Sequence, residues 1–374
     1  GPDAVARPDA IDGDPYTHDA QPADLALLLY TSGTTGAPKG VMLSHANLAS
    51  YRRITASLLP RRLWSGEFRD LIAIPLAHSA GCNYQLLPTL VLGGTAVIAP
   101  GSGPDSILPM IREYSPEVMF AVPVVYRRLL DATAGDRAVL RCLREVHFGA
   151  ASTPPTLIRE LREALPEARL GNAFGMTEIS NVALFLPHEH MTSSDGSVGF
   201  PVPGVECEIR DADHTGRGAL YLRGPNLAVG YWGRPDLTER AFGTGWIRSG
   251  DVAEVGADGA IYLRDRDDDV INRGGEKIYS ISVEEALLEL PGIADAAVVG
   301  LPDAELGARV AALVVLAPGA SPPTPASLRQ ALRGRLPAHA VPQEVRVQAG
   351  ALPRGSTGKI LKREVEARLA SPGS

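Results

Sequence analysis

The sequence predicts an α/β fold in which a mostly parallel sheet precedes a small α+β domain at the C-terminal end. Three patterns support this expectation. Apolar runs alternate with helix-like segments up to about residue 195, glycine-separated β pieces follow, and the end of the chain carries a separate α+β pattern. With 374 residues, 45% of them apolar and 21% charged, the chain is long enough for two or three domains.

The first part of the chain carries the alternation. Residues 25–30, LALLLY, are typical of a buried strand, and Ser44 is placed to cap a helix that starts HANLASYRRI. The strand-like segments that follow are DLIAI (70–74), TAVIA (95–99), EVMFAV (117–122) and REVHFG (144–149). The helix-like segments are PDSILPMIREY, PVVYRRLLDA and PTLIRELREAL.

The pattern changes twice in the second half. PGVECEIRD, GALYLRG and GAIYLRD predict a small antiparallel or barrel-like region. The charged, then glycine-rich segment DRDDDVINRGGE marks a domain boundary. We therefore predict a lead-in over 1–24, a large domain over 25–267 and a C-terminal domain over 268–374. In that last domain we expect helices at SVEEALLEL and PASLRQALRGRL, strands at DAAVVG and RVAALVVL, and a final helix from GKILKREVEARL.

Charge and composition narrow the function classes. The formal charge of −7 gives no general attraction to nucleic acid or to an anionic membrane surface. No apolar run approaches the ~20 residues that span a bilayer, and the N-terminus lacks a signal-peptide pattern. The cysteines, Cys82, Cys142 and Cys207, are odd in number and far apart, which favours small core thiols in a reducing compartment. We expect a cytoplasmic protein.

Lysine is rare in this chain. Only four of the 36 basic residues are lysines, and the other 32 are arginines. The lysines are Lys39, Lys277, Lys359 and Lys362, and all four fall within motifs. A compact ammonium on a flexible stem suits a charge role. Only Lys39 and Lys359 receive such a role below, and we expect Lys277 and Lys362 to be ordinary surface residues.

Residues 30–40, YTSGTTGAPKG, have the composition of a phosphate-binding loop. A P-loop requires glycine, four residues, and then Gly-Lys followed by Ser or Thr. Counting from Gly33, residue 38 should be glycine but is proline, so this segment is not a P-loop. Glycine N–H groups, hydroxyls and Lys39 still suit a phosphate. A surface loop rich in Ser, Thr and Gly explains the composition equally well.

Three further segments carry chemistry. NAFGMTE (172–178) joins an aromatic residue, a glycine, a hydroxyl and a carboxylate that suits Mg²⁺. GWIRSGDVA (245–253) presents Asp251, whose carboxylate can accept two ribose hydroxyls. PRGSTGKILKREV (353–365) presents Lys359 on a loop before a helix. Each of these residues also has an ordinary structural explanation. Glu178 could be a carboxylate at a helix end, Asp251 could form an Asx turn, and Lys359 could be a lysine without a role.

In this order the segments resemble the adenylate-forming superfamily of acyl- and aryl-CoA synthetases, luciferases and peptide-synthetase adenylation domains. The resemblance begins at about residue 24 and covers nearly all of the remaining chain. Members normally carry about one further domain before the phosphate loop, so we expect most of that region to be missing here. The matching segments are YTSGTTGAPKGVMLSHANL, PLAHSAG (75–81), GAAS (149–152), NAFGMTE, GPNLAVGYWGRPDLTERAF (224–242), GWIRSGDVA, DRDDDVINRGGEKI and PRGSTGKILKR.

The resemblance implies how ATP is bound. The first segment embraces the β- and γ-phosphates, NAFG places Phe174 on the adenine, and GAAS follows the edge of the ring. Thr177 contacts the α-phosphate, Glu178 binds Mg²⁺, and Asp251 holds the ribose with help from Arg266. The remaining implied nucleotide-binding residues are Thr31, Ser32, Gly33, Thr34, Thr35, Gly36, Lys39, Gly149, Ala150, Ala151, Ser152, Asn172, Ala173 and Gly175.

The resemblance also implies the reacting groups. Lys359 bridges the substrate carboxylate and the α-phosphate, and His78 gates the acid pocket. The C-terminal domain rotates about Asp268 after the first reaction, removing Lys359 and bringing Gly274 and Gly275 to the acyl-adenylate. There the glycines leave room for the pantetheine arm of coenzyme A.

The implied function is ATP-dependent activation of a carboxylic acid to acyl-AMP, followed by thioester formation with coenzyme A. GCNYQLLPTL and FAVPVVYRRLL are expected to line an apolar pocket, which favours a fatty, aryl or other hydrophobic acid. No aspartate lies near residues 78–84 to pair with an α-amino group, which argues against an amino acid substrate. Two alternatives stay open: transfer to the phosphopantetheine of a carrier protein, and a catalytically silent truncated homologue.

Overall fold

The computed structural model describes residues 19–31, 38–151, 153–321, 323–355 and 359–371. None of the helices within these ranges is long and apolar enough to cross a membrane. The helices are α1 (His45–Leu58), α2 (Leu87–Val91), α3 (Pro104–Tyr114), α4 (Pro123–Ala132), α5 (Pro155–Ala164), α6 (Pro235–Phe242), α7 (Ser280–Leu288), α8 (Pro325–Leu332) and α9 (Lys362–Ala370).

The strands form several separate sheets. In chain order they are β1 (Leu25–Thr31), β2 (Lys39–Ser44), β3 (Arg69–Ile72), β4 (Thr95–Ile98), β5 (Val118–Ala121), β6 (Glu145–Gly149), β7 (Arg169–Met176), β8 (Asn181–Leu186), β9 (Phe200–Pro201), β10 (Glu206–Arg210), β11 (Gly218–Arg223), β12 (Gly230–Tyr231), β13 (Ile247–Val255), β14 (Ile261–Arg266), β15 (Ile271–Arg273), β16 (Glu276–Ile278), β17 (Ile293–Asp303), β18 (Gly307–Leu316) and β19 (Glu344–Gln348).

The largest sheet has the order β4-β3-β5-β6-β7-β8-β9. Strands β4, β3, β5, β6 and β7 are parallel neighbours, and β8 and β9 extend the sheet antiparallel. The chain runs outward from β3 to β4 and then returns to the other side of β3. In open α/β sheets, ligands bind outside the carboxyl ends of the strands at such a reversal.

Helices cover both faces of this sheet. On β5, Met119 and Ala121 face one core with α3, α4 and α5, whereas Phe120 faces a second core with α1 and the segment 80–91. The strand VMFA is buried at every position, as expected for a parallel strand covered on both sides. The predicted α/β fold is therefore confirmed.

Helix α1 shows why the sequence folds as expected near its start. The Ser44 side chain accepts a hydrogen bond from Asn47 N, and Asn47 Oδ1 accepts one from Ser44 N at 3.0 Å. This reciprocal cap satisfies helix N–H groups that have no partner within the helix. Asn47 also donates to the carbonyl of Leu227 at 2.7 Å, so the cap ties α1 to the chain before β12.

The segment LALLLY forms β1, but the expectation that it is buried is wrong. Leu25 is 44% exposed and Tyr30 is 62% exposed, whereas Leu29 is buried. The reason is its position in the sheet. β1 is an edge strand of the three-stranded sheet β1-β2-β12 and pairs with β2 alone, so half of its side chains face outward.

The glycine-rich region after residue 195 forms the antiparallel sheet β10-β11-β13-β14. Its inward residues, among them Leu220, Leu222 and Ile247, join the second core of the main sheet. Strand β13 therefore brings Asp251 against the large sheet. The antiparallel prediction for this region is correct.

The end of the chain forms the sheet β17-β18-β19, covered by α7, α8 and α9. Its last helix begins at Lys362, four residues later than expected. The preceding residues are held extended, because Leu361 N donates to Pro353 O at 2.9 Å and Ile360 bridges to Arg354. Lys359 therefore lies outside the helix. The domain limits 25–267 and 268–374 stay predictions.

Candidate active site

A sharp turn after β7 presents Thr177 and Glu178. Met176 ends the strand, Thr177–Ile179 form one 3₁₀ turn, and Asn181 begins β8. Ser180 and Asn181 have positive φ values of 61° and 128°, which cost free energy in residues other than glycine. The turn thus holds a hydroxyl and a carboxylate at the end of a central strand, although both are mostly buried.

Glu178 is oriented by a tyrosine from another sheet. Tyr231 OH donates to Glu178 Oε1 at 3.0 Å, and the Glu178 carbonyl accepts from Ala228 N at 2.9 Å. Burial, and then the Glu178 charge, raise the pKa of Tyr231 well above its usual value. The ammonium of Lys39 lies 5.3 Å from the centre of the Tyr231 ring. These contacts bring the basic end of the predicted phosphate loop close to Glu178.

Ser79 organises the hydroxyl side of the site. Its Oγ accepts hydrogen bonds from Asn181 Nδ2 at 3.0 Å and from Thr177 Oγ1 at 3.3 Å. Ser79 lies within the motif PLAHSAG and Tyr231 within GYWGRPDL, but the sequence did not predict a role for either residue. Both contacts join residues about 50 to 100 positions apart, so spacing along the chain gave no signal for them.

Asp251 and Arg266 are cross-strand partners on β13 and β14. Their Oδ1 and Nε atoms lie 3.7 Å apart, and Asp251 N donates to Ser249 Oγ at 3.0 Å. Burial raises the pKa of Asp251, while Arg266, Ser249 and Lys359 oppose that rise. A buried carboxylate paired this loosely keeps oxygen lone pairs available to a ligand hydroxyl.

The chain passes closely at the ends of β6 and β7. A Cβ on Gly149 would lie 2.1 Å from Ala173 O, and one on Gly175 would lie 1.5 Å from Asn181 O. Only glycine therefore fits at either position without moving the backbone. Ala150 follows with φ of 62°, a left-handed conformation at the start of the GAAS turn. Phe174 lies between these glycines and is half-buried against the second core.

One ring nitrogen of His78 is occupied by a hydrogen bond within the protein. Its Nδ1 accepts a hydrogen bond from Ala80 N at 3.1 Å, which leaves Nε2 for another partner. Burial, followed by the charge of Lys359, lowers the pKa of His78. A neutral imidazole at this point can accept or donate a hydrogen bond without adding charge.

Lys359 reaches the same cleft from the C-terminal part of the chain. The residue is exposed in the segment before α9. Removal from water, and then the charge of Arg266, lower the pKa of Lys359, while Asp251 and Glu178 oppose that shift. Five predicted site residues, Lys359, Glu178, Asp251, Arg266 and His78, therefore share one electrostatic neighbourhood.

Other predicted residues are not joined to this cluster by the described contacts. Gly274 and Gly275 form the exposed two-residue turn between β15 and β16, with φ values of 60° and 89°. Positive φ at both positions requires a residue such as glycine. Asp268 is exposed in the turn Asp267–Asp269. Ser32, Gly33, Thr34, Thr35, Gly36 and Ser152 lie outside the described residues.

Thr31 and Lys39 are paired directly opposite each other on β1 and β2. Both ends of the predicted phosphate loop therefore start from one antiparallel ladder. Asn172 donates to Ser197 O at 3.1 Å and Ala173 is buried in the second core. Ala151 is half-buried in the turn after β6.

A small cavity of about 20 Å³ lies on the α1 side of the large sheet. Tyr84, Gln85, His147 and Asp70 line it, and all four are buried. Tyr84 OH and His147 Nδ1 are 2.7 Å apart, and Gln85 Nε2 donates to Asp70 Oδ1 at 2.8 Å. Gln85 Oε1 is buried without a hydrogen-bond partner among the described residues. Burial raises the pKa of Asp70 to about 7.

Two expectations about this region need correction. The segment PVVYRRLL does not line the cavity, because α4 packs into the core on the opposite face of the sheet. The segment GCNYQLLPTL does contribute, but with Tyr84, Gln85 and Thr89 rather than with an apolar surface alone. Strand alternation decides the first point, since Phe120 faces the cavity and its neighbours face α4.

Lys362 is not the ordinary surface residue that we expected. Its side chain is 14% exposed and its Nζ lies 2.9 Å from Glu284 Oε1. It also donates to Val298 O at 3.0 Å and to Ser280 Oγ. Lys277, by contrast, is exposed on β16.

Comparison with known families covers most of the chain. Residues 2–232 match the family model "AMP-binding enzyme", and residues 282–359 match "AMP-binding enzyme C-terminal domain". The chain is 37% identical over 369 residues to a feruloyl-CoA synthase of Amycolatopsis sp, covering 96% of this chain and 73% of that protein. It is 33% identical to the fatty acid–[acyl-carrier-protein] ligase ScoC of Streptomyces coeruleorubidus, covering 96% and 70%.

Solved structures agree with this relationship. ATP-bound MatB of Rhodopseudomonas palustris aligns with a TM-score of 0.84 at 30% identity, covering 94% of this chain and 69% of that one. The o-succinylbenzoate CoA synthetase MenE of Bacillus subtilis, solved with its acyl-adenylate intermediate, aligns with a TM-score of 0.80 at 29% identity, covering 93% and 70%. The chain therefore belongs to the AMP-binding enzymes, the adenylate-forming superfamily that includes the acyl-CoA synthetases.

Proposed function

We propose that this chain activates a carboxylic acid with ATP, forming acyl-AMP and pyrophosphate, and then transfers the acyl group to the thiol of coenzyme A. Adenylate-forming CoA ligases use ATP, Mg²⁺ and coenzyme A. The observation that carries the proposal is the turn after β7, where Tyr231 and Ser79 hold the Glu178 carboxylate and the Thr177 hydroxyl in the positions that the family implies for a nucleotide.

Charge is the main obstacle in the first step. A carboxylate oxygen must attack the α-phosphorus, forming an O–P bond while the bond to the pyrophosphate oxygen breaks. Both reactants are anions, so a positioned cation lowers the barrier. Lys359 suits this role: removal from water and the charge of Arg266 disfavour its charged form, and an arriving anion offsets both effects.

The residues present fit a magnesium ion held jointly with a nucleotide. Within the described residues, no cluster of three acidic, histidine or cysteine side chains could hold a metal. Glu178 and the Thr177 hydroxyl offer oxygen atoms, and Mg²⁺ is commonly bound by one or two carboxylates together with substrate phosphates. When bound, the ion would neutralise phosphate charge. Tyr231 would keep the Glu178 carboxylate directed towards it.

Asp251 and Arg266 would hold the nucleotide sugar. The Asp251 carboxylate can accept hydrogen bonds from both ribose hydroxyls, and Arg266 would balance its charge at 3.7 Å. Phe174, next to Gly175 on β7, offers a half-buried ring for the adenine. The second step would form a carbon–sulfur bond at the acyl carbonyl and release AMP, with the thiol proton lost.

The cavity around Tyr84 and His147 is far smaller than an aryl or fatty acid, since its volume of about 20 Å³ suits one water molecule. His147 and Gly149 lie on the same face of β6, two residues or about 7 Å apart. Tyr84 OH, His147 and the unpartnered Gln85 Oε1 offer hydrogen bonds at that depth. The choice of a hydroxylated aryl acid as the proposed substrate rests on the similarity to a feruloyl-CoA synthase.

The acceptor has a second candidate. Similarity to a fatty acid–[acyl-carrier-protein] ligase favours phosphopantetheine on a carrier protein as the alternative thiol. The chain spans about 70% of the length of these relatives, and a catalytically silent homologue is the other alternative.

The test is pyrophosphate exchange with ATP and Mg²⁺ over a panel of ferulate, dodecanoate and malonate. We expect exchange with ferulate, and then a thioester when coenzyme A is added. A thioester formed only with a holo-carrier protein would replace the CoA assignment with the carrier one. No exchange with any acid, together with no ATP binding by calorimetry, would support the silent homologue.

A further inference from the structure

A chain of buried polar groups crosses the junction between β14 and the C-terminal part of the molecule. It runs from Asp265 through Ser280 and Lys362 to Glu284. None of these residues belongs to the set that the nucleotide or the acid would contact. Buried charges of this kind are costly unless they are paired and hydrogen-bonded, so their arrangement requires a reason.

The first link joins β14 to α7. Ser280, the first residue of α7, is fully buried and donates from its backbone N and from Oγ to the Asp265 carboxylate. The Oγ distance is 2.9 Å. Burial raises the pKa of Asp265, and Lys362 and Ser280 oppose the rise. One carboxylate thus satisfies both the start of a helix and a side-chain hydroxyl.

The second link joins α7 to the start of α9. The Lys362 ammonium donates to Ser280 Oγ, Val298 O and Glu284 Oε1, so its three donors all have partners. Burial lowers the pKa of Lys362, but Glu284, Asp265 and Asp269 outweigh it and the pKa is raised. Glu284 in turn accepts from Val298 N at 2.8 Å. The hydroxyl of Ser280 is therefore shared between a carboxylate and an ammonium.

Two members of this series, Asp265 and Lys362, are close in sequence to residues of the candidate active site. Asp265 precedes Arg266, whose backbone N donates to Asp265 Oδ1 at 2.8 Å and whose side chain faces Asp251. Lys362 follows Lys359 by three residues. The segment between them is short and extended, since Leu361 N is bonded to Pro353 O. Movement of Lys362 would therefore shift Lys359.

We propose that Asp265, Ser280 and Lys362 are positioning residues that fix Lys359 over the Glu178–Asp251 cleft during adenylate formation. The inference rests on the proposed function and adds residues that act through Lys359. A flexible lysine loses rotational freedom when it must meet two anions at once, so anchoring its loop beforehand lowers the barrier. Hydrogen bonds with fixed directions define that anchor more narrowly than apolar packing would.

The test compares Ser280→Ala with Ser327→Ala. Ser327 lies exposed on α8 in the same part of the chain and bonds only locally, to Thr324. With ferulate as the probe acid, Ser280→Ala should lower kcat for pyrophosphate exchange about 10- to 100-fold, the scale of a misplaced catalytic group. KM for ATP and thioester formation from supplied feruloyl-AMP should stay near the wild-type values, as should all rates of Ser327→Ala.

A double-mutant cycle separates positioning from a general loss of structure. In a Lys359→Ala background, Ser280→Ala should cause no further loss of exchange, since the group that it positions is absent. An equal loss in both backgrounds would overturn the proposal. If the wild-type protein catalyses exchange and Ser280→Ala does so at the same rate, the positioning proposal is overturned but the proposed function is not.

A second readout does not depend on turnover. Competitive acetylation of amines followed by mass spectrometry gives the apparent pKa of Lys359 in each variant. Its lowered pKa depends on burial and on Arg266, so displacement in Ser280→Ala should raise it towards the ordinary lysine value. An unchanged pKa in Ser280→Ala would count against the proposal even if no acid in the panel supports exchange.

Discussion

Lys359 and Lys362 lie three residues apart, yet they occupy opposite kinds of environment. Every donor of the Lys362 ammonium has a partner within the protein. No described hydrogen bond involves the Lys359 ammonium, and the charges that act on its pKa are those of Arg266, Asp251 and Glu178. The distinction is whether the protein itself supplies the partners.

The largest expected effect is on the fully paired lysine. Lys362→Met keeps the apolar stem but leaves Glu284 and Asp265 buried without a cation, so unfolding free energy should fall by about 3–5 kcal/mol. Lys359→Met should leave it unchanged or raise it, because no internal pair is broken. Denaturant titration of both variants checks this. Similar losses in the two would break the comparison.

The next largest expected effect is on the rate of pyrophosphate exchange, and it concerns Lys359. Lys359→Ala should lower pyrophosphate exchange about 10²–10³-fold, the range for one lost electrostatic contact at a transition state. Thioester formation from supplied acyl-AMP should largely persist. Lys277→Ala, at an exposed lysine, is the matched control for exchange. Equal loss of both half-reactions in Lys359→Ala would contradict the expected domain rotation.

Asp70 extends the comparison to a buried carboxylate whose described hydrogen-bond donors are neutral. Gln85 and Thr89 donate to it at 2.8 and 3.0 Å, and burial raises its pKa to about 7. Between about pH 4 and pH 7 the unfolded chain releases the proton that the folded state keeps, so stability falls as pH rises. Asp70→Asn should flatten this dependence. Unfolding titrations from pH 4 to 8 measure it, and parallel curves for the two proteins would contradict it.

The smallest expected effect concerns a single orienting bond. Tyr231→Phe removes the hydroxyl that donates to Glu178 but keeps the ring beside Lys39. One hydrogen bond contributes about 1 kcal/mol, so exchange should slow about threefold to tenfold. Measuring exchange against Mg²⁺ concentration locates the change. A loss as large as that of Lys359→Ala would mean that Tyr231 acts directly on the reactants.

The sequence predicted the α/β architecture because its signals are local. Apolar runs of four to six residues, the Ser44 cap and the glycine-rich turns each depend on neighbouring residues, and they appear where expected. The charges of Glu178 and Asp251 also act on Lys359. Their catalytic roles stay predictions, as do the domain limits.

The wrong predictions concern features that depend on contacts between residues far apart in the sequence. Exposure of β1 depends on its place at the edge of a sheet, and the face occupied by α4 depends on strand alternation within the assembled core. Lys362 looked like a surface residue because its partners, Ser280, Glu284 and Val298, lie 64 to 82 residues away. The helix start was misplaced for a similar reason, since Pro353 and Arg354 hold the segment before α9 extended.

The turn after Glu178 has a consequence for how this protein can change. Ser180 and Asn181 hold positive φ values, a conformation that costs about 1–3 kcal/mol for each non-glycine residue. Selection for greater thermostability would favour relaxing this turn. The same relaxation would release Glu178 and Thr177 from their present positions. A thermostable descendant is therefore expected to gain its stability elsewhere, for example at the exposed edge of β1, and to retain this unfavourable backbone.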